Sequence, residues 1–415
     1  MSLSIISTAI KHIGIIGGGA AGYFSALSAK KHFPEAEVTI FEKSNKVLAK
    51  VKVSGGGRCN VTHACFDNKE LAKFYPRGES FLRKAFEQFN TTSTIEWFKE
   101  RGVLLDTLSD NCIFPKSNSS QTIIDCFENE ARKLKVKVLL HTQIDKINII
   151  NNLNFELSTK SNTFIVDKLI VTTGGQPKMS NLQWLSDLGL KIVEPLPSLF
   201  TFNMPKNPVC ELMGIVVEKA SVKIESTKLI AEGPILITHW GMSGPAILKL
   251  SAWGARILAE KNYQFNALVN WLDKKKDFEV LAELDKFAKE NPDKQISTYN
   301  PFGLTKRLWS YIISKSEIHE ETRWKAIGKK GTNKLVNNLI NDCYPVSGKT
   351  TFKEEFVTAG GVDLSEIDYN TMEAKKIKGL YFAGEIMDID GITGGFNFQG
   401  AWTTAFIAGK NVGKD

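Results

Sequence analysis

The chain reads as α/β: a parallel sheet with helices on its faces, assembled from both ends of the sequence and split by a β-rich insert carrying a small helical subdomain. Three observations predict this. Residues 12–42 run buried strand, Gly-rich turn, helix, strand, the βαβ order that implies a parallel sheet. Residues 379–409 return to the same style, with a buried strand, a Gly-rich loop and a helix. Between them, from about Glu194, the texture changes. Pro195, Pro197, Pro205 and Pro208 punctuate short alternating runs, which suggests antiparallel strands. Lys, Glu, Leu and Ala then follow at helical spacing. The expected domains are 1–193 with 358–415 for the parallel-sheet domain, 194–272 with 343–357 for the β-rich insert, and 273–342 for the helical subdomain.

Taken in order, residues 12–16 (HIGII) form the first buried strand, and a helix runs from Ala20 to about His32, closed by Pro34. Residues 37–42 (EVTIFE) form the second strand. Helical patterns cover 79–100 and 120–134. Residues 136–140 are β-rich, and 155–158 with 163–166 read as a hairpin. Residues 168–172 (KLIVT) are a buried strand running into Gly174 and Gly175, and a helix precedes Gly189. Within the insert, 220–225 and 228–231 alternate as strands, and strand texture returns over 348–357. The last strand is 379–383 (GLYFA), followed by a helix over 400–409.

Composition narrows the function classes. The 53 basic and 45 acidic residues leave +8, a mild excess for 415 residues, with no run of five like charges. The six cysteines and six histidines show neither C-x-x-C nor H-x-x-x-H spacing, so neither a disulfide framework nor a metal site is expected. No stretch approaches eighteen apolar residues, and the first ten lack a basic n-region. A cytoplasmic protein without a membrane span is expected.

Five segments carry chemistry. Gly17-Gly18-Gly19-Ala20-Ala21-Gly22 matches G-x-G-x-x-G between a strand and a helix. In this Rossmann-type pattern Gly17 permits the turn, Gly19 lets backbone approach a pyrophosphate, and Gly22 lets helix and sheet pack. The helix N-terminus stabilises the phosphate charge. Glu42, at the end of the next strand, is placed for an adenosine ribose and disfavours a 2′-phosphate. The run from Gly384-Glu385 through Gly394-Gly395, Asn397, Gln399 and Ala401 places an acid at a strand end and a helix N-terminus after glycines. The acid suits ribityl hydroxyls, and the helix N-terminus suits the electron-rich edge of a reduced flavin. NAD alone needs no such segment, so the cofactor read here is FAD.

The third segment is Lys52 to Thr62, with Ser54, Gly55, Gly56, Gly57, Arg58, Cys59 and Asn60. Its glycines let backbone lie against a planar ligand. Arg58 can neutralise a phosphate or carboxylate. Cys59 is either a redox thiol or, more plainly, a packed one. The fourth is the strand ending in Thr173-Gly174, which passes close to the dinucleotide. The fifth is Thr238 to Pro245. There His239 is either an acid–base group or a histidine satisfied within a turn. Lys43 joins Glu42 in the expected cofactor-binding set.

Together the segments IGIIGGGAAG, KVSGGGRCNVT, IFPKS, THWGMSGPAIL, FVTAGGVDLSEID, TMEAKKIKGLYFAGE and DIDGITGGFNFQGAW span nearly the whole chain. In them the chain resembles bacterial NAD(P)/FAD-dependent oxidoreductases of the aminoacetone oxidase-like and 3-dehydro-bile-acid reductase-like kind. It departs at Ala374, where that family has Ser. The resemblance implies a glutathione-reductase-type FAD domain split by a β-barrel insert with a helical subdomain, and distant kinship to the flavoprotein subunits of succinate dehydrogenase and fumarate reductase. It also implies isoalloxazine contacts at Ser54 to Asn60 and Gly394 to Gln399, with Glu385 and Asp388 near the ribityl chain or pyrophosphate.

The expected activity is hydride transfer between FAD and a small organic substrate, with NAD(P)H as a possible transient donor and His239, Arg58 and Cys59 as candidate catalytic residues. No second G-x-G-x-x-G follows a strand in 190–350, so no dedicated nicotinamide domain is expected. Two other functions compete: a tRNA-modifying flavoprotein, and an FAD-binding protein with a non-redox role. The Lys-rich helical insert motivates the first. Its bases alternate with acids, however, and no basic stripe with interleaved aromatics is visible, so a nucleic-acid partner is not expected.

Overall fold

The computed structural model describes residues 11–151, 154–273, 275–350 and 357–414. The leader expectation for residues 1–10 and most of the strand texture expected over 348–357 fall outside them. The chain divides into two compact units, Met1–Pro197 with Lys353–Asp415, and Ser198–Phe352.

The first unit is built on five parallel strands: β1 (His12–Ile16), β2 (Glu37–Phe41), β3 (Lys137–Leu139), β4 (Lys168–Val171) and β5 (Leu380–Phe382). Their spatial order is β5-β4-β1-β2-β3. The register pairs Ile15 with Ile40 on one side and with Ile170 on the other. Parallel strands are covered on both faces, which is why these read as continuous apolar runs. β5 joins β4 across more than two hundred residues, pairing Tyr381 with Ile170. Two crossing strands, Ile192–Pro197 and Thr358–Val362, pair antiparallel where the chain leaves and re-enters this unit.

Two helices dominate one face of the sheet, α1 (Ala20–His32) and α3 (Phe396–Asn411); between them in sequence lies α2 (Ala49–Gly57). α1 and α3 pack closely because small residues line their contact. A Cβ built at Gly409 lies 2.5 Å from the Ser25 oxygen and 2.6 Å from Ser28 Cβ. Phe24, Phe127 and Trp402, all fully buried, stack beside Trp97 and Phe98 under the pair. Each such ring contributes roughly 1.5–3 kcal/mol by burial.

The second unit holds a seven-stranded antiparallel sheet with Val216–Ile224 and Ile230–Thr238 at its centre. The helices Asp277–Glu290, Lys306–Lys315 and Gly328–Ile340 share its core through Val280, Leu284, Leu308, Ile312, Leu335 and Leu339. Among the described residues the barrel implied by the resemblance is not found, because the seven strands form an open sheet. Its edges are Asp342–Ser347 and Lys349–Thr350, consecutive in sequence and paired to different neighbours. Gly348 lies between them at φ +101°, where the chain turns from one edge to the other.

Candidate functional site

The C-terminal ends of β1, β2, β4 and β5 carry four of the five segments that sequence reading singled out, all within the first unit. Gly17 sits at φ +109° and donates to the Phe41 carbonyl at 2.9 Å, which ties the turn to β2. A Cβ at Gly22 would lie 1.9 Å from the Gly17 oxygen, so α1 can start here only with glycine. At Gly19 a Cβ would meet nothing within 4 Å. The requirement there is therefore not set by protein packing. α1 begins with no side-chain cap and no acid in its first turn, so its first N–H groups are available to an anion.

Glu42 reaches back to this turn. Its Oε2 accepts from Gly18 N at 2.7 Å and its Oε1 from Ser44 N at 2.8 Å, which fixes the carboxylate at the end of β2 with lone pairs remaining on each oxygen. Ala20 is half-buried and Ala21 buried, while Lys43 is exposed.

α2 follows. Its helical geometry breaks at Ser54, Gly55 and Gly56, and the chain then turns through Gly57 at φ +82° and Cys59 at φ +64°. Gly56 and Gly57 are exposed, with no protein atom within 4 Å of an added Cβ. The half-buried Arg58 lies over the Phe114 ring at 4.2 Å and donates from Nε to the Gly55 carbonyl at 3.2 Å. Its two Nη groups have no hydrogen-bond partner among the described residues. Cys59 is wholly buried, and burial pushes its thiol up to about 12. That leaves it without the thiolate that redox or nucleophilic work needs. Lys52 is exposed and donates to Gln121 at 2.7 Å.

α3 starts at Gly395, also without a side-chain cap or a first-turn acid. Gly394 at φ +129° and Gly395 at φ +91° bring it against the short strand Thr62–His63, where a Cβ at Gly395 would lie 2.5 Å from the Thr62 oxygen. With its amide oriented to satisfy both ends, Asn60 accepts from Gly395 N at 3.2 Å and donates to the Thr62 carbonyl at 2.9 Å. Tyr75 fixes the same turn by donating to the Phe396 carbonyl at 2.6 Å.

Several expected cofactor contacts are engaged within the protein. Gln399 is fully buried; its Oε1 accepts from Thr62 Oγ1 at 2.6 Å and Thr94 Oγ1 at 2.9 Å. Asn397 pairs both ways with the Gly391 backbone at 2.8 Å. Glu385 accepts from Thr358 N at 2.8 Å and pairs with Lys50 at 2.9 Å, and Asp388 accepts from Gly360 N at 2.8 Å. These side chains brace the loops, with Ala401 on α3 facing Gly384. Gly174 at φ +71° has only the Glu385 carboxylate, 4.0 Å from an added Cβ, and beside it the Thr173 hydroxyl is buried without a partner.

Sequence reading missed His63. Its ring stacks on Phe396 with centroids 4.6 Å apart, and its Cδ2 lies 3.6 Å from a Cβ built at Gly394. The available signal was its position three residues after Asn60. His239 belongs to the second unit, exposed in the turn between Ile230–Thr238 and Gly241–Ser243, with its ring against Trp240 at 4.3 Å.

The residues fit a dinucleotide with a planar ring. Two helices with uncapped N-termini pack against each other, the open glycines at 19, 56 and 57 leave ligand space, and the orphaned Thr173 hydroxyl lies at the end of β4. Among the described residues no helix is long and apolar enough to cross a membrane.

Comparison with known proteins agrees. The chain is 24% identical over 409 residues to the 3-dehydro-bile acid delta(4,6)-reductase of Clostridium scindens, covering 97% of this chain and 98% of that protein. It is 28% identical over 416 residues to the ribosomal RNA dihydrouridine synthase of Haemophilus influenzae, covering 96% and 98%. In fold it is similar to the 3-ketosteroid-Δ4-(5α)-dehydrogenase of Rhodococcus jostii, solved with 4-androstene-3,17-dione, at TM-score 0.52 and 12% identity over 100% of this chain and 99% of that one. The sequence profile described as the HI0933-like protein Rossmann domain matches residues 11–411, and the chain belongs to this family of FAD-binding Rossmann flavoproteins.

Proposed function

We propose that the chain is an FAD-dependent reductase that adds two hydrogens across a C=C bond conjugated to a carbonyl. The observation that carries this is the paired, uncapped N-termini of α1 and α3, which suit a pyrophosphate and an electron-rich flavin edge respectively. The two relatives supply the reaction class. A dihydrouridine synthase and a Δ(4,6)-reductase of a 3-dehydro bile acid both saturate a double bond next to a carbonyl.

When bound, FAD supplies the hydride, with NAD(P)H as the transient donor. Gly17, Gly19, Gly22 and the start of α1 hold its pyrophosphate, Glu42 its adenosine ribose, and the backbone of 54–57 and 394–395 its ring. The free Nη groups of Arg58 hold and polarise the substrate carbonyl oxygen, which makes the far alkene carbon more electrophilic. The second alkene carbon takes its proton from solvent. One nicotinamide and one proton are consumed per double bond.

The test is anaerobic stopped-flow at about 450 nm, where oxidised flavin absorbs. NADH or NADPH bleaches the flavin, and a conjugated enone or a uridine-containing RNA restores it with one saturated bond per flavin. Protein that takes up no FAD, or reduced flavin that neither acceptor reoxidises, overturns the proposal.

A second reading, that the conjugated bond belongs to uracil in RNA, is favoured by where the basic residues gather. Residues 294–334 hold nine Lys and Arg against three Glu and no Asp, so they carry six of the chain's eight net positive charges.

A further inference from the structure

Sequence order separates the bases of the helical subdomain; tertiary pairing gathers them. The segments around 294 and 324 run side by side, with Ile296 N donating to the Thr322 carbonyl at 2.9 Å, Trp324 N to the Lys294 carbonyl at 3.0 Å and Lys325 N to the Pro292 carbonyl at 3.1 Å. The buried Trp324 ring anchors them. Lys294, Arg323 and Lys325 thus share one exposed end of the subdomain. Residues 324–326 form a single 3₁₀ turn, and the helix Gly328–Ile340 starts directly after it, bringing Lys329 and Lys330 to the same end.

Asp293 pairs with Lys325 at 2.6 Å and Arg323 at 3.6 Å, and Glu317, which pairs with Lys334, also feels the charge of Lys330. Lys294, Lys329 and Lys330 make no salt bridge among the described residues. Two features go beyond a solvated charged face. Lys329 and Lys330 occupy the first turn of a thirteen-residue helix that has neither an acid there nor a side-chain cap. Cations at a helix N-terminus oppose the macrodipole, an unfavourable arrangement that a bound polyanion reverses. On the Lys294 side the Tyr299 ring is 39% exposed, with Lys294 Nζ 5.0 Å from its centroid. An exposed ring with a cation at its face is what single-stranded RNA uses, a stacking surface next to a phosphate contact.

We propose that this basic end, centred on Lys294, Tyr299, Lys329 and Lys330, docks the phosphate backbone of substrate RNA. This rests on the uracil reading of the function above. It assigns the helical subdomain the sequence-independent part of binding.

The test compares the full-length holoprotein with a Lys294→Gln/Lys329→Gln/Lys330→Gln variant, using fluorescence anisotropy on a labelled RNA stem-loop with uridines in its loop. Each lost phosphate contact lowers the slope of log affinity against log salt by about 0.7–0.9, so the triple variant flattens it by roughly two to three. Between about 50 and 200 mM salt, the three contacts account for roughly a twenty- to forty-fold change in affinity. Tyr299→Ala weakens binding without altering the slope. An unchanged slope in the triple variant overturns the proposal, as does wild-type protein that binds anionic phosphatidylglycerol vesicles but not the RNA. Flavin bleaching and reoxidation by a free enone, measured on the same preparations, separate the two failures. If these persist without RNA binding, the docking surface alone is wrong. Salt-dependent RNA binding with no saturated bond formed defeats the reductase reading and leaves the surface standing.

Discussion

A Cβ added at Gly19 meets no protein atom within 4 Å, while one added at Gly22 lands 1.9 Å from the Gly17 oxygen. The two substitutions should therefore separate. Gly22→Ala forces α1 off the turn and costs about 1–3 kcal/mol of stability with or without cofactor. Gly19→Ala leaves apoprotein melting unchanged and weakens FAD at least about tenfold, or 1.4 kcal/mol, because its methyl occupies ligand space. Thermal melts and flavin titrations on the two variants check this. Cys59 gives a pH prediction. Burial raises its thiol from 9.0 to about 12, so the unfolded chain releases this proton first as pH rises. The stabilisation is complete below pH 9 and is lost between 9 and 12, at about 1.4 kcal/mol per pH unit. Cys59→Ala should flatten the fall of melting temperature between pH 8 and 10.5 relative to the parent.

Among the elements, β1, α1 and β2 were legible because their determinants are local: three glycines at fixed spacing and Glu42 twenty residues after Gly22. The segment 52–60 was read as a flat glycine loop, yet its first half completes a helical turn before Ser54 breaks it. The roles of Gln399 and Asn397 were not legible. They sit where a flavin-facing helix start should be, but Gln399 is satisfied by Thr62 and Thr94, each some three hundred residues away in sequence. Gln399→Leu should remove the acceptor of two buried hydroxyls and cost about 2–4 kcal/mol in denaturant unfolding. Likewise, the open sheet of the second unit turns on Gly348, whose positive φ no periodicity reveals.

For the whole molecule, cofactor and stability are linked. FAD binds the native chain only, so at about a hundredfold excess over its Kd it should add about 2.7 kcal/mol and raise the melting temperature. Scanning fluorimetry with and without FAD checks this, and AMP in place of FAD should give a smaller rise. Net charge suggested no partner because +8 is small over 415 residues. Most of that excess lies in the window 294–334, and pairing 294–296 with 322–324 brings its Lys294, Arg323 and Lys325 to one end of the subdomain.

The proposed cofactor cradle draws on residues 17–60, on the end of β4 at 173–174 and on the turn that starts α3. A ribosome therefore releases the first G-x-G-x-x-G turn long before it makes Gly395. Through most of translation the nascent chain has a parallel sheet lacking its β5 edge, with the face of α1 that packs against α3 bare. Flavin capture is thus a late event in biosynthesis, and a premature stop anywhere upstream of residue 396 yields a product that cannot be rescued by supplying riboflavin to the cell.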